Sequence, residues 1–456
     1  MAATLGKNRA FMAPVFFLQG LKMSMLEAVV VFFLFFLPFQ FAIHPLAGVD
    51  LAIVRVFALG IFFCFAVRSL SLKRIDLPPP LPLFFFTAFL LLSSCSFLWA
   101  ENMEWTFRKA AFLLSFFPLF FVFFSLSSNP NREERAFRAL VIGAVMVAGF
   151  SLLLFFSQFP LGVAPVFAFW VQDVLPFFLG PTFGEAVARY PSLLVNISGN
   201  TVMRVSGFFP DPHIASFFFG MAFPPALFFA WSSVGRFRPF WVIGAALILL
   251  ADLLTFSRGG YIGLFFGGSA FLLPLLFRYG VWKKQAVNIA LAAIITGTLL
   301  LASPIGTRFF SSFSQSDGSN IERMRLWKEA GASITSHPLL GVGLGNYPLA
   351  VKPSAVYREP IYAHNLFLDI AVETGLLGVF LFSSVLFFCI LSLWRRWREE
   401  SSPFSLALFS SLILFSAHAM FESPLFSVHI LPILLLLMAS SLVSIRRQPP
   451  TVDSSA

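Results

Sequence analysis

Charge is what this chain has least of. Asp, Glu, Lys and Arg make up 11% of its 456 residues, against about 25% in soluble domains. Its length would allow two or three soluble domains, but so few charged groups cannot furnish their water-facing surfaces. Cysteine is scarce as well. Cys64, Cys95 and Cys389 are odd in number, far apart and set in apolar runs, so they outline neither a disulfide framework nor a metal site. Residues 1–24 carry Lys7, Arg9 and Lys22 with no small-residue cleavage site after their apolar run, which reads as a retained first helix and not a signal peptide. A soluble catalytic domain, a nucleotide-binding loop and an internal repeat are all lacking.

What fills the chain is hydrocarbon. Hydrophobic residues make up 58%, with 64 phenylalanines and a mean hydropathy of +0.86, a composition suited to lipid contact. Twelve apolar runs have the length of a membrane helix: 25–43, 49–67, 81–99, 109–126, 138–158, 212–231, 239–256, 261–278, 285–303, 364–391, 403–421 and 424–444. The expected fold class is therefore all-α, a polytopic membrane protein of about twelve spans. With a cytoplasmic N-terminus, seven segments fall inside: Lys7/Arg9/Lys22, Arg68/Lys73/Arg74, Arg132/Arg135/Arg138, Arg236/Arg238, Arg278/Lys283/Lys284, Arg395/Arg396/Arg398 and Arg446/Arg447. They hold 19 of the 31 basic residues, and each holds at least two, as the positive-inside rule requires. The net charge of +10 is thus topogenic and does not imply nucleic acid. One transmembrane domain is expected over 1–445, with a disordered cytoplasmic tail at 446–456. Two long segments fall outside, 159–211 and 304–363. The first includes an amphipathic or re-entrant piece around APVFAFWVQDVLPFFLG, expected to lie on the membrane surface.

Polar groups retained at the outer edge are the candidates for chemistry, because a charge at the centre of a membrane helix costs about 2.5 to 3.5 kcal/mol on insertion scales. Arg258 lies in LLTFSRGGYIGLFFGG, where the seventh span ends and the eighth begins. It is either a turn arginine reaching for the interface or, with Gly259, Gly260 and Gly263 permitting close approach, part of an anion site. Asp252 either orients Arg258 or pairs elsewhere in the bundle. Arg204 lies in RVSGFFPDPHIASFF, before the sixth span. There Asp211 reads as an N-cap, and Asp211 with His213 falls short of the three or four ligands a metal needs.

The second outer segment is richer. Arg323 and Arg325 begin an amphipathic helix with Ile321, Met324 and Trp327 at three-residue spacing; Arg323 lies near Trp327, and Arg325 projects to another side. This helix is expected to stop near His337-Pro338. GVGLGNY follows, and its Gly341 and Gly343 suit a tight supporting turn. With no strand before it and no helix after its third glycine, it is not a dinucleotide fingerprint. His364 is expected to begin the tenth span. At 100° per residue Ala371, Gly375 and Gly378 return to within about 40° of its azimuth, placing histidine and glycines on one face, whereas Asp369 and Glu373 point away.

HPLLGVGLGNY, then AHN with His364 and Asn365, then Gly375 and Gly378, resembles the signature of the O-antigen ligase and polymerase superfamily of bacterial envelope glycosyltransferases. SRGG at 257–260, NIERMRLW at 320–327 and RVSGFFPDPHIASFF resemble three further blocks of it. The blocks run in the expected order over about 204–378, whereas the first 200 residues share only the hydropathy pattern. The resemblance implies transfer of a glycan from an undecaprenyl diphosphate donor to lipid A core or another glycan acceptor. It places the chain among membrane lipids in the bacterial inner membrane, with both termini cytoplasmic and the site on the periplasmic face. Under it Arg258 and Arg323 meet the diphosphate, with Arg204 and Arg325 as further cations. His364 activates the acceptor hydroxyl, and His337, Gly341, Gly343, Asn365, Gly375 and Gly378 support the site. Trp327 stands where ligases often have leucine, so the branch stays open between ligase, repeat-unit polymerase and protein O-oligosaccharyltransferase.

The residue chemistry agrees with this. Guanidinium groups can stabilise a departing lipid diphosphate at a low-dielectric interface, and a histidine titrating near neutrality can take the hydroxyl proton. Neither cofactor nor metal is expected. A transporter of lipid or ions, the alternative of a different class, would place paired charges and broken helices at mid-membrane.

Overall fold

Helix starts in this chain are set by short polar residues whose side chains catch the first free amides. Ser24, Asn102, Asn129, Asp211, Asn365 and Ser402 act in this way. Pro130, Pro212 and Pro403 follow three of them as the first helical residue, where a missing N–H costs nothing. Asp211 is thus the N-cap that its position before an apolar run suggests. The computed structural model describes residues 24–443 apart from 47–48, 74, 190–191, 198, 280–317, 358 and 360. The expected span 285–303, the first 23 residues and the tail at 446–456 lie outside the described residues.

Among the described residues, seven helical stretches are long and apolar enough to cross a membrane: Ile53–Ser71, Pro80–Leu98, Met103–Ser127, Pro130–Leu161, Pro212–Ser232, Arg258–Arg278 and Leu366–Glu400. Met25–Phe39, Val163–Leu179, Pro403–His418 and Ile430–Ser441 are apolar but shorter. In chain order the helices are α1 (Met25–Phe36), α2 (Ile53–Ser71), α3 (Pro80–Cys95), α4 (Met103–Phe116), α5 (Leu119–Ser127), α6 (Pro130–Leu161), α7 (Val163–Phe169), α8 (Leu175–Leu179), α9 (Pro181–Arg189), α10 (Pro212–Ser232), α11 (Arg238–Leu253), α12 (Arg258–Tyr279), α13 (Gly318–Ser336), α14 (Tyr347–Val351), α15 (Leu366–Glu400), α16 (Pro403–His418) and α17 (Ile430–Ser441).

The fold is not purely helical. Strands β1 (Ala42–Leu46) and β2 (Val49–Ala52) form one antiparallel hairpin, and β3 (Leu194–Ile197) and β4 (Asn200–Met203) form another. Pro38, which has no amide to continue the ladder, sits in the 3-10 turn that ends the first apolar helix. The chain beyond it satisfies its backbone across β1–β2 instead, so the second expected span opens as a strand and turns helical at Ile53. The piece at 164–180 is also more broken than its amphipathic pattern suggests. A π-helical turn at Trp170–Val174 separates α7 from α8, and Trp170 is buried against the rings of Phe150 and Phe208.

In the core α12 lies along α16, α10 against α11 and α16, α3 along α15, and both α1 and α11 against α6. The two ends of α15 meet different environments. At its C-terminal end Arg396 forms a buried ion pair with Glu133 of α6, Nη2 to Oε2 3.0 Å. Nearby on α6, Arg132 and Arg135 both reach Glu27 of α1. Arginines that mark the expected inner side therefore also tie helices together there.

The helix arithmetic for the tenth span fails at Gly375, where φ is 72° and ψ −178°. The loop 338–343 fills the interruption. Leu376 donates to the Pro338 carbonyl, and Val342 and Gly343 donate to the carbonyls of Val372 and Glu373. A Cβ on Gly375 would run into the backbone of Leu339 and Leu340, and one on Gly341 into that of Val372 to Thr374. Both glycines are therefore needed for two backbones to interlock, and φ above zero at each is the region that glycine enters without penalty. His364 lies before the helix, and the face it was expected to share with Gly375 does not exist.

Candidate active site

His364 owes its position to four anchors. It adopts φ 49°, a left-handed conformation that costs an ordinary residue about 1 to 2 kcal/mol. On its N-terminal side the Ala363 amide donates to Asp369 Oδ1 at 2.7 Å, and the Ala363 carbonyl accepts from Trp327 Nε1 at 2.8 Å. On the other side Asn365 Oδ1 caps Phe367 and Leu368, and the Leu366 amide donates to the Ala419 carbonyl at the end of α16. The second oxygen of Asp369 accepts from Ser423 Oγ. One carboxylate thus holds the residue before His364 and the residue after Glu422.

Glu422 is the centre of the arrangement. Its side chain is 5% exposed, with Oε1 and Oε2 at 3.0 and 3.1 Å from His364 Nδ1. His213 Nδ1 stands 3.7 Å from Oε2 and Arg323 Nη2 3.9 Å from it. Burial alone would raise the carboxyl's pKa. The charge and hydrogen bond of His364, with the charge of Arg323, reverse this and hold it well below the usual carboxylate range. Burial likewise disfavours the His364 imidazolium, but the charge and hydrogen bond of Glu422 prevail and raise its pKa. Asp211 is pushed up to about 6 by burial and then by the Glu422 charge, against its cap bonds and Arg204. The Tyr362 ring lies 4.2 Å from the His364 ring, centroid to centroid. With Nδ1 engaged by Glu422, Nε2 is the imidazole nitrogen left to exchange a proton with a substrate.

The other predicted residues divide into those near this carboxylate and those that serve elsewhere. Arg258 is buried as the first residue of α12, next to Ser257, whose Oγ lies 3.1 Å from His213 Nδ1 and 3.3 Å from His418 Nε2. Arg204 is buried too, with Nε donating to the Thr255 carbonyl at 2.6 Å and Nη1 to that of Ser192 at 3.0 Å. It clasps the β3–β4 region to the turn before α12. Arg325 is not brought to Glu422; it sits exposed on α13, paired with Glu322 and Glu329. His337 is exposed at the end of α13, which stops at Ser336 as Pro338 requires.

Ile321, Met324 and Trp327 are 55%, 66% and 38% exposed. The covered positions of α13 include Leu326 and Ala330, so the three-residue stripe is not the packed face. Asp252 accepts from Ser216 Oγ at 2.5 Å, which places its partner on α10. A Cβ on Gly259 would strike His418 and Phe421, and one on Gly260 Ser216 Oγ. In the helical bundle these glycines let α12 approach α16 and α10.

Glu422 and the clamp made by Asp369 are absent from the sequence reading. A lone carboxylate between two apolar spans in MFESPLF was the available signal for Glu422. For Asp369 there was none, since its partners lie outside its own helix.

A model of the O-antigen ligase family matches residues 243–383. This shows the resemblance drawn from the sequence blocks, over a stretch that includes Arg258, Arg323 and His364 but not Arg204 or Glu422. The chain is 26% identical over 182 residues to a protein of Rickettsia felis named as a polysaccharide ligase, covering 37% of this chain and 42% of that one. It is also 26% identical over 190 residues to the ComP-specific O-oligosaccharyltransferase of Acinetobacter baylyi, covering 39% of this chain and 33% of that one. The matched stretch thus spans less than half of either relative.

Proposed function

We propose that this chain, matched over residues 243–383 by the O-antigen ligase family, transfers a polysaccharide from undecaprenyl diphosphate to lipid A core. The reaction takes place at the periplasmic face of the bacterial inner membrane. The observation that carries the reading is the His364–Glu422 pair with Arg323 on the same carboxylate. Nε2 of His364 takes the proton of the acceptor hydroxyl as its oxygen attacks the anomeric carbon. The bond from that carbon to the diphosphate oxygen breaks, and the diphosphate leaves with the bonding pair. Arg323 and Arg258 stand at the same end of the bundle to receive the charge, with no nucleotide required. Glu422 fixes the imidazole and stabilises the imidazolium as it forms. Twelve spans with both termini cytoplasmic remain the topology that the charge alternation favours.

The Acinetobacter relative favours a second reading, in which the acceptor is a protein hydroxyl; a repeat-unit polymerase would use another lipid-linked repeat. Deleting the gene separates them. Loss of all long chains from lipid A core with lipid-linked polymer retained is expected; a single repeat left on the core points to the polymerase, and intact lipopolysaccharide with loss of protein glycosylation points to the second reading. In vitro, purified chain with lipid-linked donor and core acceptor is expected to form product without ATP and in EDTA.

A further inference from the structure

A second cationic cluster lies by the Phe426 end of the 422–426 segment. Arg55, in the first turn of α2, donates from Nε to Ser115 Oγ at 3.1 Å and from Nη2 to the Ala111 carbonyl at 3.3 Å, both on α4. Its guanidinium is 5.4 Å from the centre of the Phe112 ring. Among the described residues no carboxylate is within ion-pair distance of this half-buried cation. A guanidinium withdrawn from water without a counter-charge is costly unless an anion arrives from outside. Arg108 of α4 does have a partner, Glu104, and lies 4.7 Å over the Tyr357 ring. Trp105 packs 5.6 Å from the same ring, which is 39% exposed. Arg108 lies four residues before Phe112 on α4 and so shares a face with the ring that Arg55 covers, which brings guanidiniums from two helices and the Tyr357 ring together.

Guanidiniums recognise phosphate and carboxylate, and a half-open aromatic face suits the apolar face of a sugar ring. We infer that Arg55, Arg108 and Tyr357 form a subsite for an anionic saccharide, the phosphate- or carboxylate-bearing part of the acceptor. This rests on the transferase reading above. The acceptor is assigned here because the 422–426 segment has two ends. Glu422 faces His213, Arg323 and His364, where the donor diphosphate is placed, whereas Phe426 packs on Phe112 and Lys109, beside the second cluster. An acceptor held there sits by the Phe426 end of this segment, apart from the Arg323 cation at Glu422 that is assigned to the departing diphosphate.

The test uses full-length chain in nanodiscs with a phosphorylated core acceptor and its phosphatase-treated counterpart. Arg55→Gln and Tyr357→Ala are each expected to raise KM for the phosphorylated acceptor about tenfold, the scale of a lost charge-assisted hydrogen bond. KM for the donor stays unchanged, and wild type and variants converge on the dephosphorylated acceptor. A rise in donor KM would place the anion on the donor glycan and overturn the assignment, as would unchanged acceptor KM in both variants. Tyr357→Ala alters a partly exposed ring and controls for misfolding of Arg55→Gln. Saturation-transfer NMR of His364→Ala with the phosphorylated oligosaccharide reads binding without turnover. Signal lost on Tyr357→Ala supports the subsite even if no transfer is found, whereas transfer by wild type with no such signal sinks it.

Discussion

Nδ1 of His364 lies 3.0 Å from Oε1 of Glu422, joining the residue just before α15 to the loop after α16. The pair makes the imidazole more basic and, by engaging Nδ1, leaves Nε2 for proton exchange. Both effects bear on a proton-accepting role, and they can be measured separately.

The pH dependence of transfer is expected to rise through a midpoint above 6.5, the ordinary histidine value, because the folded-state pKa of His364 is raised and the neutral base grows as the imidazolium is lost. Stability has the opposite sign. The histidine's contribution is full below its unfolded pKa and fades as pH rises through the raised folded value. That of Glu422, whose pKa is depressed, is full above 4.5 and fades as pH falls through the depressed value. Initial rates across pH 5 to 9 and thermal unfolding from about pH 2 to 9 check both; a rate midpoint at or below 6.5 would contradict the pairing.

Replacing the partners separates basicity from presence. His364→Ala is expected to slow transfer by about 10² to 10⁴, the range for general acid–base catalysis. Glu422→Gln should slow it less and shift the rising limb to lower pH. An unchanged rate for His364→Ala would remove the base assignment, and an unshifted limb for Glu422→Gln the dyad.

Asp369 acts on the site through neighbours, holding the Ala363 amide and Ser423 Oγ. Asn keeps an acceptor for the amide, so Asp369→Asn is expected to retain most activity. Asp369→Ala frees both attachments and should cost up to about 10²-fold, as small displacements of catalytic groups do. The pH midpoint separates positioning from lost stability: with looser His364–Glu422 contact it moves toward 6.5 in Asp369→Ala, whereas simple destabilisation leaves it in place.

Gly375→Ala places a Cβ against the Leu339 backbone at φ 72°. Strain of this kind costs about 1 to 3 kcal/mol, and steric clash adds to it. A lowered unfolding temperature in detergent is expected, with donor KM in the surviving folded fraction near wild type. Unchanged stability would mean that the 338–343 loop is not locked into the break of α15.

Arg258→Lys keeps the charge and loses the planar fork. Donor KM is expected to rise while acceptor KM stays constant; near-normal donor use would argue against bidentate contact with the diphosphate.

Much of the fold follows from local rules, and so was legible. Apolar length predicts where helices run, Asp211 announces its cap, and Pro338 announces the end of α13. The misses have physical causes. The break at Gly375 arises because a loop about 35 residues earlier supplies the hydrogen bonds that the helix gives up, which helical periodicity cannot register. The hairpins at 42–52 and 194–203 are stabilised by pairing between segments too short to carry a pattern of their own. Arg204 and Arg325 looked alike as outward arginines, yet one donates to buried carbonyls and the other to acidic neighbours on its own helix.

By itself the sequence determined that the chain is a membrane protein, which residues carry its scarce charge, and the family resemblance of the blocks from 204 to 378, because hydropathy, charge count and motif order are properties of the linear chain. Tertiary structure alone decided that Glu422 is the carboxylate facing His364, that Asp369 holds both, and that the glycines of GVGLG and of the α15 break serve each other. Those relations depend on distances between helices, and a lone buried carboxylate acquires its partner only when the bundle closes around it.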